Sequence, residues 1–143
     1  MYKKITFLNY VPSNEQAIIT EAVNKMCCVG ARHNIPPALL IKPLEVIYKD
    51  IEPYAFIQPL IDGRGGIAGH RLYLNSNYIY DGVYLDRIVA HEVLHTFSEK
   101  NILKHESLLF KSLSHDYEVR YNKKIDFLTT EDIQIIERGM KID

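Results

Sequence analysis

Residues 88–97, Ile88-Val89-Ala90-His91-Glu92-Val93-Leu94-His95-Thr96-Phe97, hold an apolar helical period with three ionisable side chains set into it. Ile88, Val89, Val93 and Phe97 recur at the spacing of one buried helix face. His91 and His95 are four apart, so on a helix they share a face, separated by one turn and about 6 Å of rise. Two imidazoles placed like this can converge on one ion, and zinc suits neutral nitrogen ligands. Glu92 follows the first of them and is placed to take a proton from a water activated at such an ion. The intervening residues carry no charge, as expected of a core helix that presents only its reactive side chains to a cleft. The alternative is a pair of core histidines satisfied by hydrogen bonds.

Working outward from this helix, the elements read as strand, helix, several strands, helix, irregular tail and helix. Residues 3 to 11 alternate around Ile5, Phe7 and Leu8, a strand ending at Pro12. Ser13 or Asn14 caps a helix whose period, through Ala17, Ile18, Ala22 and Met26, runs to about Cys28, with Gly30 as the stop. From His33 to Pro43 the chain reads as irregular, with Leu39-Leu40-Ile41 able to enter a short strand. Val46-Ile47-Tyr48 and Tyr54-Ala55-Phe56-Ile57 are strand candidates, and His70 to Leu74 is a strand by alternation. The glycine cluster from Asp62 to Gly69 lacks the ending of a phosphate loop and reads as a mobile loop. Asp81-Gly82 is a turn, and the helix that follows begins at Val83 or Asp86 and runs through His95. A last helix starts near Thr130, with Glu131-Asp132 in its first turn and Ile133, Ile136 and Met140 facing inward.

Composition bounds the possibilities. The 143 residues are 47% apolar and 24% charged. A chain of that size buries roughly 68% of the surface its unfolded form exposes, so a single domain over 1–143 can fold without a metal or a disulfide. Seventeen basic residues against 18 acidic ones leave a net charge of -1, and no basic cluster is longer than a pair such as Lys123-Lys124, which argues against nucleic acid as a partner. No apolar stretch approaches the roughly 20 residues of a membrane span. The start is broken at Asn9 and Pro12, unlike a signal peptide. Cys27 and Cys28 are adjacent and read as reduced, buried thiols. A soluble, cytoplasmic protein is the expectation, with the oligomeric state open.

Catalytic zinc takes three protein ligands and keeps an open position. Past His95 the chain continues Thr96-Phe97-Ser98-Glu99-Lys100-Asn101, and then Ile102 to Phe110. Here it resembles the metzincin metallopeptidases, which extend HExxH with a glycine three residues on, a third ligand six residues on and a methionine turn beneath the metal. Ser98 stands at the glycine position and Asn101 at the third-ligand position, while Leu109 within Ser107-Leu108-Leu109-Phe110 is similar to the methionine of the turn. Asn101 through its amide oxygen, a water in its place, His105 swinging in from the following loop, and a site without metal are the four outcomes. Glu99, the His115-Asp116 pair, which reads as a loop, and an oxyanion role for Tyr117 or Tyr121 are further candidates. The resemblance also implies that the strand Ile67 to Leu74 is the edge along which an extended substrate lies, with His70 able to touch it.

The expectation is therefore an α/β (α+β) domain with a metzincin-like mixed twisted sheet, an N-terminal helix, an active-site helix and a C-terminal helix. Its implied activity is zinc-dependent hydrolysis of an extended peptide, with His91, His95 and Asn101 as ligands, His105 as the rival third, and Glu92 activating water. The alternatives are a degenerate relative that binds without cutting and a metal-dependent endoribonuclease resembling the small ribosomal-RNA maturation family. The latter has glycine where this chain has Glu92.

Overall fold

The structure is a computed structural model that describes residues 2–77 and 82–126. Its elements run β1 (Ile5–Phe7), α1 (Ser13–Arg32), α2 (Pro37–Leu40), β2 (Leu44–Lys49), β3 (Ala55–Ile61), β4 (Ile67–Asn75), α3 (Gly82–Leu94) and α4 (Leu108–Tyr121). The expected α+β class holds: four strands form one mixed sheet in the order β1-β2-β4-β3. The expected helix from Thr130 and the residue Asp81 lie outside the described residues.

Parallel neighbours need a crossover, and α1 supplies it between β1 and β2. β2 is parallel to β4, with Leu44 opposite His70 and Lys49 opposite Asn75. β3 turns back against β4 as an antiparallel partner, with Ala55 opposite Leu74. The expectation that Ile67 to Leu74 forms the edge is corrected: β4 is interior, and β3 is the edge on that side. The physical reason is Pro59, which has no N–H to give a second ladder and is tolerated in an edge strand. The glycine cluster is the hairpin turn between these two strands. Asp62 Oδ1 accepts from the backbone N–H of Arg64 and Gly66, and Gly65 adopts a φ of 82°.

Three helical expectations change as well. Pro12, with no side-chain hydrogen bond, occupies the N-cap of α1 in place of Ser13 or Asn14. The helix also passes through Gly30 and ends at Arg32, because Gly30 is buried where another helix interior residue would not fit: a Cβ there would stand 2.9 Å from the Phe97 ring and 3.0 Å from Leu40. Leu39 and Leu40 belong to the one-turn helix α2, begun by Pro37 at a position where proline's missing N–H costs nothing.

Helices α1 and α3 pack on each other and on the sheet. The core gathers Ile19, Val23 and Met26 of α1, Leu72 and Leu74 of β4, Val89 and Val93 of α3, and Phe110 and Leu113 of α4. Lys3 is buried within it, where its Nζ donates to the carbonyls of Leu39 and Lys42, tying the chain before β1 to the α2 region. Burial lowers its pKa to about 8. Both cysteines are free; Cys27 is buried, but Cys28 is exposed, contrary to expectation, because one step along α1 turns the side chain by about 100°, out of the core-facing stripe. Among the described residues no helix is long and apolar enough to cross a membrane.

Candidate metal centre

α3 carries His91 and Glu92 and ends at Leu94, and its last turn tightens: His95 N donates to Glu92 O, Thr96 N to Val93 O, and Phe97 N to Leu94 O. This keeps His95 on the same side as His91, with ring centroids 4.9 Å apart. The chain then loops outward through Glu99 and Asn101, both exposed, and returns at Leu103. The return is pinned twice, since Leu103 N donates to His95 O at 2.9 Å and Leu103 O accepts from His95 Nδ1 at 2.5 Å. Two residues later His105 reaches the pair.

The result is a triangle of imidazole nitrogens. His91 Nε2 stands 3.0 Å from His105 Nε2 and 3.2 Å from His95 Nε2, and His95 Nε2 stands 3.1 Å from His105 Nε2. These three residues are the group of histidine, cysteine and acidic side chains able to hold a metal ion among the described residues. Nitrogens bound to one tetrahedral zinc at about 2.0–2.1 Å lie about 3.3 Å from each other, close to this spacing.

Proton accounting makes the fit sharper. His91 Nδ1 meets Ile125 O at 2.5 Å, as His95 Nδ1 meets Leu103 O. A carbonyl only accepts, so both Nδ1 atoms donate, and both Nε2 atoms are left as lone pairs pointing into the same space. Burial pushes His91 down to about 4 and also lowers His95, with the backbone bonds to Ile125 and Leu103 opposing it, so both rings are neutral near pH 7. A proton on His105 can serve one of these lone pairs and not both. A cation at the centre serves all three, which is why the donor set fits a metal.

Phe110 forms the floor. Its ring centroid lies 5.4, 4.9 and 5.1 Å from those of His91, His95 and His105, and it is 1% exposed. Here the expected methionine-like turn is corrected. Ser107 is the N-cap of α4, its Oγ accepting from Phe110 N, so residues 108–110 open a helix. That phase points Leu109 outward, 37% exposed, and brings Phe110 under the histidines. The sequence did contain a signal for this, a serine cap followed by Phe110, Leu113 and Tyr117 at helical spacing.

Glu92, His91 and His105 open onto a cleft of about 490 Å³ whose other walls include Pro53, Tyr54, Ala55, Ile88 and Ile125. Burial raises the Glu92 carboxyl to about 7. The remaining candidates fall elsewhere. His115 is exposed on α4, a helix where a loop is expected, and Asp116 beside it pairs with His33 and Arg120. Tyr117 lines a separate cavity with Glu21, Asp86 and Lys123, while Tyr121 packs against it and faces the α1 surface. His70 is fully buried at the start of β4, not on an edge where it could touch substrate. In comparisons with known proteins, no family model, curated protein or solved structure matches the chain.

Proposed function

We propose that the protein is a zinc-dependent hydrolase acting on peptide bonds, with His91, His95 and His105 as the ligands and Glu92 as the general base. The observation that carries this reading is the triangle of Nε2 atoms, two of them obliged to be lone pairs, beside a carboxylate in the wall of a cleft. His105 replaces Asn101 as the third ligand in this proposal, since Asn101 sits exposed in the outward part of the loop. Zinc, when bound, supplies a Lewis acid that polarises a carbonyl and makes water more acidic.

The chain's own residues divide the remaining work. Glu92 holds the attacking water, takes its proton and returns it to the leaving amine. Ile88, Pro53, Tyr54 and Ile125 exclude bulk water from one side of the reacting bond. Ala55, also in the cleft wall, is the first residue of β3, the edge strand on that side of the sheet, whose outer row of backbone groups is paired with no other strand among the described residues. An extended peptide can pair with that row, which favours a peptide over a compact substrate.

Two measurements test the proposal. Elemental analysis of the purified chain should find near-stoichiometric zinc, lost in His95→Ala and His105→Ala and kept in Asn101→Ala. Cleavage of a peptide library should fall by about 10²–10⁴ in Glu92→Gln, the contribution typical of a positioned general base. Equal cleavage by both proteins, or no zinc after supplementation, overturns the reading. Stoichiometric zinc without cleavage would assign the fold to a binding role.

A further inference from the structure

The orientation of His91 is set from outside the HExxH helix. α4 ends at Tyr121, and Asn122 takes a left-handed conformation with φ 56° and ψ 41° that turns the chain back toward α3. Lys123 then forms an ion pair with Asp86, whose side chain is buried on α3 five residues before His91. Ile125 inserts its side chain into the core, 2% exposed, and its carbonyl oxygen receives the His91 Nδ1 proton. Three consecutive features thus seat one short segment on the helix that bears the first ligand.

We propose that residues Asn122 to Asp126 act as a strap that holds His91 in the Nδ1–H form, and that Lys123, through Asp86, is the positioning residue that seats it. The inference rests on the metal-centre reading for its purpose, but the tautomer it predicts exists with or without metal. An imidazole flipped about its Cβ–Cγ bond presents a C–H to the centre, and one that carries its proton on Nε2 presents an N–H donor, in either case instead of a lone pair. Fixing Nδ1–H on a backbone carbonyl removes both alternatives, the role that outer partners of ligating histidines commonly have. Lys123 touches none of the histidines, so its effect must travel through the placement of Ile125. A left-handed non-glycine residue such as Asn122 is suited to the reversal because asparagine tolerates that region better than branched residues.

The test uses the full chain in two states. In the metal-free wild type, ¹⁵N NMR of the imidazole should report His91 as the Nδ1–H tautomer. Lys123→Gln should give a mixture of tautomers and weaken zinc affinity, measured by competition with a chelator, by about 10- to 100-fold, the range seen for lost outer partners. Lys123→Arg should restore both. If Lys123→Gln does not fold, Asn122→Val reads the same two quantities, since it strains the reversal at an exposed position outside the core. An unchanged tautomer and unchanged affinity in these variants overturn the strap, as does a wild type lacking the Nδ1–H form. A wild type with the Nδ1–H tautomer but no zinc affinity would instead overturn the metal-centre reading and leave the strap standing.

Discussion

His70 and His95 illustrate how the same side chain takes different work from its surroundings. His95 has a carbonyl for one nitrogen and a shared polar space for the other. His70 is fully buried with neither ring nitrogen hydrogen-bonded, and Lys3 and Lys42 bear on it electrostatically. Burial, followed by those lysines, lowers its pKa from 6.5 to about 4. The native state therefore holds His70 neutral while the unfolded chain takes up a proton near pH 6.5. The stability that depends on its neutrality is complete above that value and is lost as pH falls toward 4, by an amount on the order of 2–3 kcal/mol. His70→Leu should make the fall in unfolding free energy between pH 6.5 and 4 shallower, the remainder coming from His91 and His95, read by urea denaturation of metal-free samples. Parallel losses in the two proteins would rule His70 out as the group responsible. His91, Glu92 and His95 were legible at this scale because their chemistry lies in a five-residue spacing on one helix. Asn101 was a counted position in a motif, whereas His105 reaches the centre only after a loop whose path depends on Leu103 pairing with His95.

Among the described elements, α1 and α3 make the most extensive helix contact, and Gly30 shows what packing at the end of α1 demands. Its place in the interior of α1 brings the helix against Phe97, just past the histidine helix, and Leu40. Glycine's helix penalty of about 1 kcal/mol is outweighed by that close approach. Gly30→Val places a branched side chain into atoms that are themselves buried, and should lower unfolding stability by about 1–3 kcal/mol in thermal or urea unfolding. A neutral result would mean that the Phe97 ring can move aside. The same element shows why local signals misled: a glycine after a helical period is a common stop, and only the neighbouring helix reveals it as a contact. Ser107 is the converse, a cap signal that placed Phe110 beneath the histidines while a motif alignment suggested a turn.

At the scale of the whole molecule, the core runs from α1 through the sheet to α4 and is built from apolar side chains, with Phe110 joining it to the candidate metal centre. Removing metal should therefore leave the fold intact. Chelation is expected to preserve far-ultraviolet circular dichroism while lowering the melting temperature, because a ligand bound only by the native state adds about 4 kcal/mol at a thousand times its dissociation constant. Loss of secondary structure on chelation would make the ion a structural one instead. The sheet adds a second property: with β3 rather than β4 at the edge, the backbone row that no other strand pairs among the described residues begins beside the cleft at Ala55.

By itself the sequence determined the α+β class, strands through Val46, Ala55 and His70, and a helix that sets His91 and His95 on one face. These depend on periodicity and spacing within about one element, which local chemistry encodes directly. The tertiary structure alone decided that His105 meets His91 and His95, that the Ile125 carbonyl meets the His91 ring, and that β4 lies between β2 and β3. Each of these joins residues distant in the chain, and their meeting depends on how whole elements pack, information that no local window of the sequence contains.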